Sequence, residues 1–343
     1  MKNKIELNKN IYKLFIFLYS LSRNILILLS LNFKYLFFLK RKKQKITMVV
    51  LIEHMGDIVA CEPVSRYFKK ENPDDFIIWI VKKAYKDIII CNPNVDKVVC
   101  ITGLTELILL SFFKFFIREI NLHISKRKYK PFFNFFISRK RFKITLKNFF
   151  EYGSLLESVC LAANMKKLTD SPVFHFCKDL KPVDLPKKPY AIFHCMSNQP
   201  VKNWGSNNFT MLAKDIIDMG FNVAEIGFTN AVKLNVNNYH NLCNKYLLQE
   251  YAYIIKNAAV FIGIDSGFSH IANAVNTYGI ILIGELGNFK RYNPYGGSYG
   301  NGKNATIIYN EKGKLMDLNY DEVFSRCAGI LQVKKHALYG HID

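Results

Sequence analysis

The stretch that most constrains the fold is residues 260–284, which read VFIGIDSGFSHIANAVNTYGIILIG. Two short runs within it, 260–264 and 279–283, are almost entirely apolar and predict buried strands. A short helical stretch joins them, and it opens with small or polar residues: Asp265, Ser266, Gly267 and, one turn later, His270. Polar groups at the end of an otherwise apolar strand mark this turn as a candidate binding site.

The alternation of strand and helix recurs in two parts of the chain, 46–100 and 190–284. Such alternation favours parallel sheets that are covered by helices on both faces. Between the two parts, residues 178–190 are polar and contain three prolines, as is typical of a linker. We therefore predict an α/β protein with two domains, 46–183 and 184–343, preceded by a separate segment.

The formal net charge of +21 is concentrated in two segments. Residues 1–45 and 112–150 each contain eleven Lys or Arg and one Glu, so together they carry +20. The rest of the chain is close to neutral. This distribution predicts a localised anionic partner. Half of all residues are apolar, which excludes a disordered chain.

Residues 1–45 have the composition of a membrane-associated segment. A span over 14–33 would place Arg23 near the bilayer centre, at a cost of roughly 2.5–3.5 kcal/mol or more. On a helical wheel, the polar residues Lys13, Ser20, Arg23, Asn24, Ser30 and Lys34 fall within an arc of about 120°. The pattern favours an amphipathic helix in the interface, with the basic run 40–45 at anionic headgroups. A single span and a helix that packs on the protein are the alternatives.

Residues 106–150 contain eleven of the 28 Phe, interleaved with Lys and Arg. Nucleic-acid-binding proteins share this composition, but the segment has no RNP-like motif, zinc spacing or helix-turn-helix signal. Adjacent Phe pairs suit an apolar surface better than base stacking. We expect an insertion that contacts a lipid or a lipid-linked anionic acceptor, and no nucleic acid. The alternative is a helical insertion whose Phe side chains are core.

The eight cysteines include no CxxC pair, and several stand in apolar, strand-like runs. This usage predicts free core thiols rather than disulfides or a metal site. No DxD or HExxH motif occurs. We therefore expect no bound metal.

The residues at 265–270 have the properties of an anion site. A helix N-terminus carries unpaired N–H groups and the positive end of the helix dipole. Gly267 permits close approach of a ligand, Ser266 can donate a hydrogen bond, and His270 faces the same helix end. Because ligands of open parallel sheets bind outside the carboxyl ends of the strands, we predict a diphosphate site. The alternative is that Asp265 is only an N-cap and His270 only a packing residue.

In each domain, a polar loop follows the first apolar run. In the second domain, Lys202 can neutralise phosphate charge, and Ser197 can hydrogen-bond to phosphate. In the first domain, Asp57 is a candidate general base or an N-cap, and His54 is a second candidate base. Gly56 lies at the same strand-to-helix turn.

Several blocks of the sequence resemble glycosyltransferase family 9, the ADP-heptose:lipopolysaccharide heptosyltransferases. The block MVVLIEHMGDIVACEP resembles the opening of that family, with Asp57 and Pro63 in the matching places. FHCMSNQPVKNW resembles the start of its second domain, with Lys202 and Trp204. FIGIDSGFSHIANAV resembles its D-[TS]-G-x-x-H-x-A-A block, and GELGNFKRYNPYGG resembles the segment that follows.

The resemblance implies a GT-B fold, in which two Rossmann-like domains face a cleft, and metal-independent inverting transfer. It implies that Asp57 is the catalytic base. It also implies that the second domain binds a nucleotide-diphosphate sugar through Lys202, Ser266, Gly267 and His270. We expect this donor to be ADP-linked. We add Ser197 and Asp265 to this diphosphate site, and we assign His54 and Gly56 to the loop near the acceptor.

The chain departs from the family pattern at three places. Glu53 and His54 stand where small hydroxyl residues are usual, and Ala60 stands where a His is frequent. The acidic ribose-binding position after the EIG strand has no clear match.

We expect a transferase that moves heptose or a related sugar to a lipopolysaccharide or other glycolipid at the cytoplasmic face of a bacterial inner membrane. The alternatives are a hexose donor, or a non-catalytic basic protein that binds membranes or nucleic acid on a decayed transferase scaffold.

Overall fold

The computed structural model describes residues 2–34, 45–52, 54–101, 118–124, 128–129, 135–136, 144–311 and 313–339. Its contacts divide the chain into two compact units. The first unit comprises Met1–Glu53, Val64–Leu146 and Val159–Lys166. The second unit comprises His54–Pro63, Lys147–Ser158 and Lys167–Asp343. The predicted domain boundaries, at 45/46 and 183/184, stay a prediction.

A four-stranded parallel sheet forms the centre of the first unit, in the order β3-β2-β1-β4. Its strands are β1 (Ile46–Val50), β2 (Phe76–Lys82), β3 (Lys97–Ile101) and β4 (Arg118–Asn121). β1 is buried along its whole length, which explains why it is apolar except at Thr47. A short antiparallel pair, β5 (Lys128–Tyr129) and β6 (Phe135–Phe136), follows in the chain.

The N-terminal helix α1 covers Lys2–Lys34, so the predicted helix in this segment is confirmed. Part of its predicted polar arc faces the sheet. Ser20 is 3% exposed, and the Arg23 guanidinium donates to the main-chain carbonyl of Cys100 in β3 at 3.1 Å. Within the described part of the chain, every helix is too short or too polar to cross a bilayer.

Two predicted segments lie largely outside the described residues. The basic run 40–45 is described only at its last residue, and the insertion at 106–150 is described only in short pieces. The lipid or acceptor role of both stays a prediction.

A six-stranded parallel sheet forms the centre of the second unit, in the order β12-β11-β10-β7-β8-β9. The strands are β7 (Tyr190–His194), β8 (Asn222–Glu225), β9 (Tyr239–Asn241), β10 (Val260–Ile264), β11 (Gly279–Ile283) and β12 (Ala305–Tyr309). The strands predicted within 260–284 are therefore confirmed as β10 and β11, and β10 lies inside the sheet beside β7.

The remaining helices complete the α/β pattern. They are α2 (Met55–Ala60), α3 (Pro63–Glu71), α4 (Leu155–Ala162), α5 (Ser206–Asp218), α6 (Leu248–Lys256), α7 (Gly267–Ala274), α8 (Gly297–Gly300) and α9 (Tyr320–Tyr339). α3 begins at Pro63, because the first turn of a helix leaves N–H groups unpaired and proline has none to lose. α2 belongs to the second unit by its contacts, although it follows β1 in the chain.

The cysteine expectation holds only in part. Free thiols are Cys61, Cys100, Cys160, Cys195, Cys243 and Cys327. Cys91 and Cys177 are disulfide-bonded, so the expectation is wrong for these two.

Candidate active site

The candidate site begins where β10 ends and α7 begins. Ser266 is the N-cap of α7, with an extended backbone (φ −156°). Its main-chain N–H donates to Ser269 Oγ at 3.0 Å, and Ser269 Oγ donates to the Ser266 carbonyl at 2.6 Å. The Ser266 hydroxyl is buried and has no hydrogen-bond partner among the described residues. It can therefore serve a ligand at this helix end.

Asp265 is the anionic group beneath this helix end. It is 6% exposed, and its Oδ2 accepts a hydrogen bond from Lys202 Nζ at 2.6 Å and another from the Tyr292 hydroxyl at 2.9 Å. Burial alone would raise the pKa of Asp265. The charge of Lys202 and the other groups around it outweigh burial and hold the pKa below its ordinary value. Asp265 is thus an ionised anchor for Lys202, and it is not the N-cap, which is Ser266.

His270 is a neutral group at the same place. It is 4% exposed, and burial lowers its pKa to about 4, against an opposing effect of Asp265. Its Nδ1 has no partner among the described residues. At neutral pH the imidazole can offer a ligand a hydrogen bond but no positive charge.

Two glycines bring α2 against α7. A Cβ on Gly56 would lie 2.9 Å from His270 Cδ2, and a Cβ on Gly267 would overlap the Met55 side chain. Neither contact leaves room for a larger residue, so the two helix N-termini meet closely only because both positions are glycine. This contact is within the second unit, and it carries Asp57 to the site.

Asp57 is the third residue of α2, and His54 is the N-cap of that helix. The His54 N–H donates to Asp57 Oδ2 at 3.4 Å. Desolvation by burial raises the pKa of Asp57, and the neighbouring Asp265 adds to this effect, whereas His54 and Lys202 oppose it. The N-cap alternative for Asp57 is therefore wrong. The residue is a carboxylate of raised basicity near Lys202 and Asp265.

Lys202 and Ser197 lie in the loop after β7. Lys202 ends a short 3₁₀ helix, Pro200–Lys202. The Ser197 N–H donates to Asn203 Oδ1 at 2.8 Å, and Ser197 Oγ accepts from the Gln199 N–H at 3.1 Å. The hydroxyl of Ser197 keeps its hydrogen for a further bond. Within the described residues no hydrogen bond joins Ser197 to Lys202 or to Asp265.

Sequence reasoning missed both Tyr292 and His194. Tyr292 bonds Asp265, and its only sequence signal is its place in the GELGNFKRYNPYGG block. His194 ends β7, is 6% exposed and packs on Phe268, and burial lowers its pKa to about 4. Its Nδ1 is likewise without a partner among the described residues.

Glu225 ends β8, near the place where the family pattern leads us to look for a ribose-binding acid. Its carboxylate is fully buried. It accepts hydrogen bonds from Asn230 Nδ2 at 2.6 Å, the Ala231 N–H at 2.7 Å, the Val232 N–H at 3.1 Å and the Tyr239 hydroxyl at 2.6 Å. The Glu225 carboxylate therefore already has hydrogen-bond donors from the chain that follows β8.

A model of the family described as glycosyltransferase family 9 (heptosyltransferase) matches residues 132–324, which is more than half of the chain. The chain belongs to glycosyltransferase family 9. The resemblance stated from the sequence blocks is thereby confirmed, and this family 9 chain is a glycosyltransferase of the heptosyltransferase type.

Solved structures share its GT-B-like fold. A family 9 glycosyltransferase from Veillonella parvula matches with a TM-score of 0.62 and 15% identity, covering 84% of this chain and 97% of the other. The E. coli ADP-heptose lps heptosyltransferase II matches with a TM-score of 0.60 and 14% identity, covering 85% and 100%. E. coli heptosyltransferase WaaC with ADP matches with a TM-score of 0.56 and 14% identity, covering 83% and 99%. No curated protein sequence matches this family 9 chain.

The described residues of this family 9 chain contain no group of three or more His, Cys, Asp or Glu that could hold a metal ion. Metal-independent transfer stays a prediction.

The glycine contact between α2 and α7 is testable by one substitution. We expect Gly56→Ala to lower the free energy of unfolding by about 1–3 kcal/mol, because the added methyl must displace the buried His270 ring. Denaturant titration of the purified chain measures this change. Gly329→Ala is the matched control: Gly329 is exposed on α9 with open space around it, and alanine should stabilise that helix by about 0.5–1 kcal/mol. Equal effects of the two substitutions would contradict the tight contact.

The buried histidines predict a loss of stability in mild acid. In the folded chain the pKa values of His194 and His270 are about 4, below the ordinary 6.5. Between pH 4 and pH 6.5 the unfolded chain therefore binds more protons than the folded chain. The contribution of these two histidines to the free energy of unfolding is complete above pH 6.5. It is lost as pH falls towards 4, at up to about 1.4 kcal/mol per pH unit for each residue. Denaturant midpoints measured from pH 7 to pH 5 should fall, and His194→Gln/His270→Gln should flatten the slope. An unchanged slope in that variant would refute the assignment.

Proposed function

We propose that this chain is an inverting glycosyltransferase that moves heptose or a related sugar from a nucleotide-diphosphate donor, ADP-linked, to a lipopolysaccharide or other anionic glycolipid. The observation that carries the proposal is the contact of α2 with α7, which brings Asp57 near the Lys202–Asp265 pair. A general base and an anion cradle are the two parts that such a transfer requires. Two of the similar structures are E. coli heptosyltransferases, one bearing ADP-heptose in its name and the other solved with ADP, and they support this donor.

The base would be Asp57. Its carboxylate accepts the proton of an acceptor hydroxyl as that oxygen attacks the anomeric carbon of the donor, opposite the leaving nucleotide diphosphate. A carboxylate whose pKa is raised by burial is a stronger base than an exposed one, as a proton acceptor requires. One catalytic base and one displacement give inversion at the anomeric carbon.

The leaving group would be held at the start of α7. Negative charge grows on the departing diphosphate, and the N–H groups of α7, the Ser266 hydroxyl and Lys202 can meet it. Lys202 is held at 2.6 Å by Asp265 and has further N–H donors to offer. His270 would contribute a neutral hydrogen bond.

The acceptor and the location complete the proposal. The basic segments 1–45 and 112–150 have the charge to attract an anionic glycolipid and the surface of a membrane. We propose that the enzyme works at the cytoplasmic face of a bacterial inner membrane and uses no nucleic-acid partner.

Substitution of the proposed base separates chemistry from binding. We expect Asp57→Asn to lower kcat by roughly 10²–10⁴-fold, because the amide cannot take a proton. Titration calorimetry should give an ADP dissociation constant close to that of the unsubstituted chain. Asp321→Asn, on the exposed first turn of α9, is the matched control and should change neither quantity. Full activity of Asp57→Asn would remove Asp57 from the base role.

A donor screen tests the reaction itself. The full chain is incubated with a deacylated lipopolysaccharide core acceptor and ADP-heptose, an ADP-hexose or a UDP-hexose, and the product mass identifies the transferred sugar. We expect a heptose adduct. A hexose adduct would show that the donor is a hexose nucleotide, and the assignment as a transferase would stand. Absence of any product, together with no binding of ADP or UDP at micromolar concentrations, would favour the decayed scaffold.

A further inference from the structure

Helix α1 presents an unusual outer surface, which we call the outer face. Ten large apolar or aromatic side chains between Ile11 and Leu29 are each 37–68% exposed. Phe15, Leu18, Leu26 and Leu29 form its central stripe, at the i, i+3 and i+4 spacing of one helix face. The stripe extends about 21 Å along the helix axis at 1.5 Å per residue. A soluble surface rarely carries so continuous an apolar strip.

Two polar side chains of the helix that the structure describes, Ser22 and Arg23, already have hydrogen-bond acceptors. Ser22, within the stripe, donates its hydroxyl to the Tyr19 carbonyl at 2.8 Å, so its polarity is satisfied by the helix itself. Arg23 donates to the Cys100 carbonyl at 3.1 Å, away from the stripe. The described side chains of the outer face are therefore apolar or aromatic, and their polar groups are the Ser22, Tyr12 and Tyr19 hydroxyls.

The opposite side of α1 is bound to the first unit. Ile27 packs on the apolar cluster that one face of the four-stranded sheet forms. Lys97 Nζ, in β3, donates to Ser30 Oγ at 2.8 Å, beside the Arg23–Cys100 bond. These contacts fix the rotation of the helix about its axis, so the sheet itself determines which side chains face outwards.

We propose that the outer face of α1 is a docking surface for an anionic bilayer, with the helix lying in the plane of the interface. The charge of the same segment selects this occupant. Residues 1–45 contain eleven Lys or Arg against one Glu, and the basic run 40–45 follows the helix in the chain. Anionic headgroups attract such a segment, whereas a second copy of the helix would bring two strongly positive segments together. The inference rests on the proposed function only in that the glycolipid acceptor belongs to a bilayer.

Vesicle binding by the full chain tests the proposal. Sedimentation with vesicles of phosphatidylglycerol and phosphatidylethanolamine should carry the protein down, whereas phosphatidylcholine vesicles should not. Leu18→Glu/Leu26→Glu, on the outer face, should weaken binding to the anionic vesicles at least tenfold. Met211→Glu/Val333→Glu is the matched control, because these side chains are 50% and 69% exposed on α5 and α9. Equal binding by the two variants would overturn the proposal.

Other occupants of the outer face give different results. If a second copy covered it, the unsubstituted chain would sediment as a dimer without vesicles, and the α1 variant as a monomer that still binds them. If another part of the same chain covered it, the α1 variant would lose thermal stability but keep vesicle binding. Either result would overturn the proposal. ADP binding by the α1 variant should be unchanged, so failure of docking is distinguishable from failure of the transferase assignment.

A second readout covers the case in which the charged variant fails to fold. The two native tryptophans, Trp79 and Trp204, are buried at 0% and 1% exposure, so an added tryptophan reports its own surroundings. Fluorescence of Leu26→Trp should be quenched by anionic vesicles with brominated acyl chains, and that of Val333→Trp should not. Equal quenching at the two positions, or none at Leu26→Trp, would contradict docking through the outer face.

Discussion

The close contact of two helix N-termini, made possible by Gly56 and Gly267, is the constraint on which the candidate site depends. α2 has only six residues, too few to be a stable helix alone, so its position comes from packing. Packing against α7 orients Asp57 and presses Gly56 onto the His270 ring. The same contact excludes solvent, which raises the pKa of Asp57 and lowers that of His270. One steric condition thus sets both the geometry and the electrostatics of the site.

The two aspartates of this site have opposite pKa shifts because their neighbours differ. Asp265 receives hydrogen bonds from Lys202 and Tyr292, which hold it ionised despite burial. Among the described residues, the one hydrogen bond to the Asp57 carboxylate is a long main-chain bond from His54, and desolvation prevails there. Environments that separate the pKa values of paired carboxyl groups also separate their roles. Asp265 is suited to anchor a cation, and Asp57 is suited to accept a proton.

The sequence predicted the parts of the fold whose signal is local. The strands and polar turn at 260–284 were predictable because apolar runs of strand length end at small polar residues. The contact of Gly56 with His270 was not, since it joins residues far apart in the chain and has no periodic signature. The helical wheel of α1 placed Ser20 and Arg23 on one side of the helix, but it could not show that this side faces the sheet. Arg23 turns to the sheet because a main-chain carbonyl of the edge strand β3 accepts its hydrogen bond there.

The second sheet also limits how the proposed donor could be recognised. Glu225 could bind ribose hydroxyls only by giving up its bonds to Asn230, Tyr239 and two main-chain N–H groups, which would leave buried donors unpaired. The loop after β8 therefore occupies, with its own hydrogen bonds, the carboxylate that could otherwise bind ribose hydroxyls. In the proposed reaction, recognition of the nucleoside would then come from other groups, and the proposed diphosphate site at α7 would supply a larger share of the donor affinity. The unpartnered Ser266 hydroxyl is consistent with that larger share, because a buried donor without a partner gains most when a phosphate oxygen arrives.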